Sequence, residues 1–192
     1  MVSAATEAHP FLQDLESRIL LADGAMGTLL FDRGVSQDRC LAELNLTGKD
    51  RVQQIHLDYI LAGSELLLTN TFGANRYSLE HFGLEDKVWD INVWGVKIAR
   101  LSREIAGKPT WVAGSVGPLG KGLKPWGPLT TAEARSAFTE QVEALLAGGV
   151  DLFVIETMSD PDELLLAVEV VRSVCRLPVV ASMTFSHEGR TR

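Results

Sequence analysis

The sequence predicts an α/β fold in which parallel strands form a buried sheet and helices cover it. Short apolar runs alternate along the chain with longer segments that repeat apolar residues at helical spacing. The short runs are continuously apolar, which is typical of strands buried on both faces of a parallel sheet. A chain of 192 residues is long enough for one domain with a sizeable core.

These patterns predict five strands and four helices in alternation. The strands are expected at residues 19–23, 65–70, 111–115, 152–156 and 178–185, and the helices at residues 50–62, 89–106, 130–147 and from 160 onward. A capping box of Thr130 and Glu133 begins the third helix. The fourth helix begins with Asp160 as its N-cap and Pro161 in its first turn.

Polar residues at the strand ends indicate how the sheet is closed. The first four strands end in Asp23, Asn70, Ser115 and Glu156. In a TIM (β/α)8 barrel such ends converge on one mouth, whereas a doubly wound open sheet concentrates its site at one switch point. We therefore favour the barrel. Because a barrel needs about 250 residues and eight strands, residues 19–192 are expected to form its N-terminal part, after a lead-in at residues 1–18.

The stretch DGAMGT at residues 23–28 follows the first predicted strand. Its two glycines allow a tight turn and leave backbone amides uncovered. A run of exposed N–H groups binds an anion, and Asp23 beside it can hold a cation. This combination suits an amino acid. A motif of only six residues is explained equally well by a turn that ends the strand and binds no ligand.

Composition argues against several classes of function. The net charge is −7 and no run of Lys or Arg occurs, so we expect no nucleic-acid binding. No apolar run approaches the roughly 18 residues that span a bilayer, and no signal peptide is present, so we expect a cytoplasmic protein without membrane contact. The two cysteines, Cys40 and Cys175, fit neither a disulfide framework nor a CxxC spacing.

Five sequence motifs occur in order along nearly the whole chain. They are ADGAMGTLL at residues 22–30, ELNL at 43–46, TNTFGAN at 69–75, AGSVGPLG at 113–120 and GVDLFVIETM at 149–158. With these motifs the chain resembles the homocysteine S-methyltransferase family, the homocysteine-binding barrel of methionine synthases. The stretch FGLEDKV at residues 82–88 is most similar to the bifunctional branch, in which a methylenetetrahydrofolate reductase domain follows.

The resemblance implies an enzyme that transfers a methyl group to the thiol of homocysteine and forms methionine. It implies a zinc ion, held by three cysteines, that stabilises the substrate thiolate. Those cysteines belong to motifs beyond residue 192, so no metal ligand is expected within this chain. The implied methyl donor is methylcobalamin or methyltetrahydrofolate, and a reductase domain would bring FAD.

The resemblance also assigns a substrate site. The substrate-binding residues that it implies are Asp23, Gly24, Ala25, Met26, Gly27, Asn70, Ser115 and Glu156. Asp23 and Glu156 match the positions that hold the substrate amino group. The amides of residues 24–27 match the cradle for its carboxylate, and Asn70 and Ser115 would line the pocket.

Two other interpretations stay open at this point. One is a truncated homocysteine-binding fragment that does not catalyse and whose open barrel edge self-associates. The other is an unrelated α/β barrel that binds a phosphorylated ligand at the glycine loop. The carboxylate of Asp23 and the absence of a basic residue at 23–28 count against phosphate.

Overall fold

A parallel sheet of four strands lies at the centre of the protein, which a computed structural model describes over residues 9–185, 189 and 191. The strands are β1 (Leu66–Leu68), β2 (Trp111–Val116), β3 (Leu152–Met158) and β4 (Val179–Met183). Their order in the sheet follows their order in the chain, and every neighbouring pair is parallel. The predicted parallel α/β sheet is therefore confirmed, with no point at which the strand order reverses.

Eight α-helices accompany these strands in the described part of the chain. They are α1 (Pro10–Ser17), α2 (Met26–Asp32), α3 (Leu44–Thr47), α4 (Lys49–Ala62), α5 (Arg76–Glu80), α6 (Val88–Ala106), α7 (Thr131–Gly148) and α8 (Pro161–Val174), with a 3-10 turn at Glu85–Lys87. The four predicted helices are α4, α6, α7 and α8, and the capping box at Thr130 is present. The other four were not predicted, because segments of 4 to 8 residues are too short for a periodic pattern. Within the described ranges, no helix has both the length and the apolar character needed to cross a membrane.

The prediction of a first strand at residues 19–23 is wrong. Only Ala22 pairs with β1, through an isolated parallel bridge to Leu66. The segment lies at the edge of the sheet, where Ile19 is 93% and Leu21 is 56% exposed. Because no described element covers its outer side, this apolar run adds hydrogen bonds to the edge of β1 without becoming a buried strand. The described sheet therefore has four strands and one bridge in place of the five predicted strands.

Side chains alternate between the two faces of the sheet, and each face packs differently. On one face, Val112 and Phe153 join the main core with helices α6, α7 and α8. On the other face, Ala113 and Val154 pack with Phe11 of α1, which is 1% exposed. Part of the predicted lead-in is thus a helix that covers the amino-terminal end of the sheet.

Candidate functional site

The carboxyl ends of the strands border a cavity of about 720 Å³. All eight residues of the predicted substrate site line this cavity: Asp23, Gly24, Ala25, Met26, Gly27, Asn70, Ser115 and Glu156. They lie after the bridge at residue 22, after β1, and near the carboxyl ends of β2 and β3. Parallel strands place their carboxyl ends at one edge, so the fold brings together residues that are far apart in the sequence.

Asp23 lies directly after the isolated bridge, where the chain turns away from the sheet. Its Oδ2 accepts the backbone N–H of Leu68 at 3.0 Å. Burial raises the pKa of this carboxyl to about 7, against the effect of the Leu68 N–H, and the charge of Glu156 adds to the rise. Near neutral pH, Asp23 is therefore divided between its two protonation states, and a cation beside it would favour the charged state.

Glu156 and Ser115 form a hydrogen-bonded pair across two strands. The Ser115 hydroxyl donates to Glu156 Oε1 at 2.6 Å. Both residues lie two positions beyond Ala113 and Val154, so strand alternation places them on the same sheet face as α1. The bond to a charged acceptor is of the stronger kind and fixes the direction of the carboxylate.

A strand irregularity follows Glu156. The register between β3 and β4 shifts between Ile155 and Met158, and Thr157 has a φ of 61°. A β-branched residue in this left-handed region is strained, at a cost on the order of 1–3 kcal/mol. Bulges of this kind redirect side chains next to active sites. Here the irregularity separates the cavity-lining Glu156 from the fully buried Met158.

The glycine motif has a different physical basis from the one predicted. Gly24 and Gly27 do not have the positive φ of a glycine-only turn. At Gly24 the constraint is space, because a Cβ would lie 2.9 Å from the hydroxyl of Tyr59. That hydroxyl donates to the carbonyl of Ala25 at 3.0 Å and so holds the motif against α4.

The start of α2 borders the cavity beside this motif. Ala25 is its N-cap residue, and no side-chain cap hydrogen bond is present. The first N–H groups of a helix have no acceptor within the helix. They are therefore available to an anion in the cavity.

Asn70 is held by other parts of the cavity wall. Its Nδ2 donates to the carbonyl of Leu41 at 2.8 Å and to Asn45 Oδ1 at 3.1 Å. The amide hydrogens of Asn70 are thus used within the protein. The residue connects the end of β1 to residues 41–45, of which Leu41 and Ala42 line the cavity.

A second wall of the cavity was not predicted from the sequence. Its residues are Gln37, Arg39, Cys40, Leu41 and Ala42, and Phe31, Phe72 and Phe82 add apolar surface. This segment contains no strand end and no periodic pattern that would indicate a role in the site. Burial raises the pKa of the Cys40 thiol, so this group is neutral at neutral pH.

The described residues do not fit the zinc site that the family resemblance implies. In residues 9–185, 189 and 191, no three His, Cys, Asp or Glu side chains form a group that could hold a metal ion. Cys40 borders the cavity, whereas Cys175 follows α8 and lines a different cleft with His9. A catalytic zinc needs three protein ligands together, so we derive no step through zinc from these residues.

The fold and the site define an α/β protein with a cavity at the carboxyl ends of its strands, lined by two carboxylates, by backbone amides and by apolar side chains. The family model for homocysteine S-methyltransferase matches residues 20–192. The chain therefore belongs to the homocysteine S-methyltransferase family.

Methionine synthases are among the relatives of this chain. It is 34% identical over 192 residues to methionine synthase from Mycobacterium tuberculosis (strain ATCC 25618 / H37Rv), a match that covers 93% of this chain and 16% of that protein. It is 36% identical over 166 residues to methionine synthase from Mycobacterium leprae (strain TN), with 82% and 14% covered. The chain thus spans less than one fifth of the length of these relatives.

Solved structures of a homocysteine methyltransferase are also similar. The metallated form of MmuM from Escherichia coli matches with a TM-score of 0.79 and 28% identity, over 92% of this chain and 67% of that one. The oxidized form matches with a TM-score of 0.83 and 28% identity, over 96% and 68%.

Proposed function

We propose that the cavity binds L-homocysteine and that the intact enzyme transfers a methyl group to its thiol, forming methionine. One observation carries this proposal: Asp23 and Glu156 line the same cavity that the uncapped start of α2 borders. An amino acid needs an acceptor for its ammonium group and a donor for its carboxylate, and both are present within one site. Family membership supports homocysteine as the amino acid and favours an enzyme over a non-catalytic fragment.

The described residues bind and orient the substrate in this proposal. Asp23 and Glu156 accept hydrogen bonds from the ammonium group, and Ser115 fixes the direction of the Glu156 carboxylate. The backbone amides of residues 24–27, which lead into α2, bind the substrate carboxylate. In the transfer, the substrate sulfur forms a bond to the methyl carbon, the bond from that carbon to the donor breaks, and the thiol proton is lost. Zinc and the donor, methylcobalamin or methyltetrahydrofolate, are assigned to other parts of the protein.

We also propose that the sheet belongs to a TIM barrel whose first part is residues 19–192. The unreversed strand order supports this, because a doubly wound sheet reverses its order at the switch point. A cavity lined by residues from neighbouring strand ends supports it as well. In the same proposal the enzyme acts in the cytoplasm. The outer edge of β4 pairs with no described strand and would self-associate if it stayed open.

Substitution of the two carboxylates tests the proposed substrate site. The protein is expressed from its intact gene, and the binding of L-homocysteine is measured by titration calorimetry. Because a hydrogen bond to a charged group contributes roughly 1.5–3 kcal/mol, we expect Asp23→Asn and Glu156→Gln each to raise the Kd roughly 10- to 100-fold. Both variants should also lower the rate of methionine formation at low homocysteine concentration.

Two controls make this test specific. Glu140→Gln removes a carboxylate on α7 that pairs with Arg76 away from the cavity, and should leave the Kd unchanged. 4-Mercaptobutanoate lacks the amino group, and should bind wild type weakly and the Asp23→Asn variant no worse. Tight binding of phosphate, or a wild-type Kd in both carboxylate variants, would contradict the proposal.

A further inference from the structure

The segment after β1, residues 69–75, forms one wall of the cavity, and we name it the β1 loop. Thr69, Asn70, Phe72 and Gly73 within it line the cavity. The loop has no regular secondary structure, yet several of its residues are fully buried, among them Thr71 and Ala74. Buried backbone carbonyls outside helices and strands need hydrogen-bond donors from elsewhere.

Side-chain amides from three different helices supply these donors. The three contacts, each 2.8 Å long, are Asn45 Nδ2 to Asn70 O, Gln141 Nε2 to Thr71 O and Asn92 Nδ2 to Ala74 O. The helices are α3, α7 and α6, which approach the loop from outside the cavity. A helix interior has no free backbone N–H, so an uncharged amide side chain is a suitable donor at these positions.

The same amides connect the helices to each other. Asn45 of α3 donates its second hydrogen to the carbonyl of Ile91 on α6 at 3.0 Å. Asn92 donates its second to Val88 O at 2.7 Å, within α6 itself. Asn92 Oδ1 accepts from Gln141 at 3.4 Å. Asn45, Asn92 and Gln141 are all 0% exposed. A buried carbonyl left without any donor costs about 1–3 kcal/mol, and within the described part of the chain Thr71 O alone of the three has a second donor, the Ala74 N–H. The amide contacts therefore favour the observed position of the loop.

Close packing at α6 restricts the loop further. A Cβ at Gly95 would lie 2.6 Å from Thr71 Cγ2 and 2.7 Å from Asn45 Nδ2. Glycine at this position therefore lets α6 approach the loop and Asn45 together. No substitution at Gly95 could keep both neighbours in place.

We propose that Asn45, Asn92 and Gln141 are positioning residues, which fix the β1 loop against the substrate through its backbone carbonyls. They line no part of the cavity themselves. Their effect reaches the substrate through Asn70 and Phe72, whose places depend on the loop. This inference rests on the proposed homocysteine site, and it adds residues that touch neither substrate nor metal.

The variant Gln141→Met tests the inference with little change of volume. It removes the side-chain donor to Thr71 O and leaves the Ala74 N–H as the second donor to that carbonyl. It also removes Gln141 Oε1, which has no partner among the described residues. We expect the Kd for L-homocysteine to rise roughly 10-fold, since displaced binding groups are costly even when the substitution is remote. Hydrogen exchange at the Ala74 amide, which donates to Thr71 O at 2.9 Å, should become faster.

Ser102→Ala is the matched control. Ser102 is fully buried on α6 and donates to Ile98 O at 2.9 Å, away from the loop. It should lower the thermal midpoint without changing the Kd or the exchange rate at Ala74. If Gln141→Met does not fold, Gly95→Ala replaces it, because that variant displaces Thr71 and Asn45 by crowding and deletes no hydrogen-bonding group.

The outcomes separate the two proposals. A wild-type protein that does not bind homocysteine overturns the proposed function, and exchange at Ala74 then still shows whether the amides hold the loop. A wild-type protein that binds, together with a Gln141→Met variant of unchanged Kd and unchanged exchange, overturns the positioning role. A Kd that rises equally in Ser102→Ala overturns it too, because the effect would then follow from general destabilisation.

Discussion

Asp23 titrates near neutral pH because it is buried beside a second carboxylate. His56, on α4, shows the same effect of burial on a base: it is 0% exposed, neither ring nitrogen has a partner among the described residues, and its pKa is lowered to about 4. His56 is therefore neutral at pH 7 and belongs to the packing of α4. Of these two residues, only Asp23 borders the cavity, so only its shift concerns the ligand.

The raised pKa of Asp23 makes homocysteine binding depend on pH. The free carboxyl has a pKa of about 7, and a bound ammonium group favours its charged form. We expect affinity to rise between pH 6 and pH 8 and a proton to be released on binding near pH 7. Calorimetry in two buffers of different ionisation enthalpy measures the number of protons released on binding. The Asp23→Asn variant should lack the release that comes from Asp23.

The same shift has an opposite consequence for stability. An acid whose pKa is higher in the folded protein than in the unfolded chain binds more protons when folded, between about pH 4 and pH 7. The contribution of Asp23 to the free energy of unfolding therefore falls as the pH rises through this window.

For the binding experiment, equal proton release by wild type and Asp23→Asn would show that another group titrates when homocysteine binds.

At the scale of elements, the contact between α4 and the glycine motif connects the main core to the cavity. Tyr59 packs against both core clusters of the helix layer, and its hydroxyl holds the carbonyl of Ala25. The sequence predicted α4 from its periodicity and the motif from its glycines. The sequence did not predict that α4 constrains the glycine motif, because the contact joins residues 34 positions apart.

A double-mutant cycle tests this contact. Gly24→Ala places a methyl group 2.9 Å from the Tyr59 hydroxyl, and we expect a loss of about 1–3 kcal/mol in the free energy of unfolding. Tyr59→Phe removes that hydroxyl, so Gly24→Ala should cost less in the Tyr59→Phe background. Urea denaturation of the four proteins gives the coupling energy. Simple additivity of the two substitutions would show that the crowding at Gly24 has another source.

At the scale of the whole molecule, the proposed function gives the two ends of one sheet face separate roles. Phe11 of α1 lies at the amino-terminal end, with its ring edge-on to Trp111 at 5.8 Å between centroids. Glu156 and Ser115 lie at the carboxyl-terminal end of the same face. In the proposed function, packing at one end stabilises the fold and the other end binds the substrate, a division typical of the barrels proposed above.

Phe11→Ala tests the division. Removal of a buried phenyl ring typically costs about 3–5 kcal/mol, so the urea midpoint should fall substantially. The Kd for homocysteine, measured under conditions where the variant is folded, should stay at its wild-type value. A large change of Kd in the folded variant would mean that α1 influences the strand ends and that the two roles are not separate.

Sequence patterns predicted those parts of the fold that local chemistry determines. Long amphipathic helices, their caps and the polar residues at the strand ends depend on neighbours a few positions away. Other features depend on distant parts of the chain. They are the exposed edge at residue 19, the cavity wall around Cys40 and the helix side-chain amides that donate to the β1 loop. Asn92 and Gln141 in particular look like solvent-facing helix residues in the sequence, since only the folded loop provides their partners.

The wide spacing of the site along the chain has a consequence for folding. The hydrogen bond to Asp23 joins residues 45 positions apart, and the one to Glu156 joins residues 41 positions apart. Bringing together the ends of such long segments has an entropic cost, which makes folding slow. Both segments have to close before the two carboxylates can contact one ligand. During synthesis, a ligand that bridges them can be captured only after residue 156 has left the ribosome and the strands have paired. Ligand capture would thus report completed folding of the sheet, and partly folded chains would be unable to compete for the same metabolite.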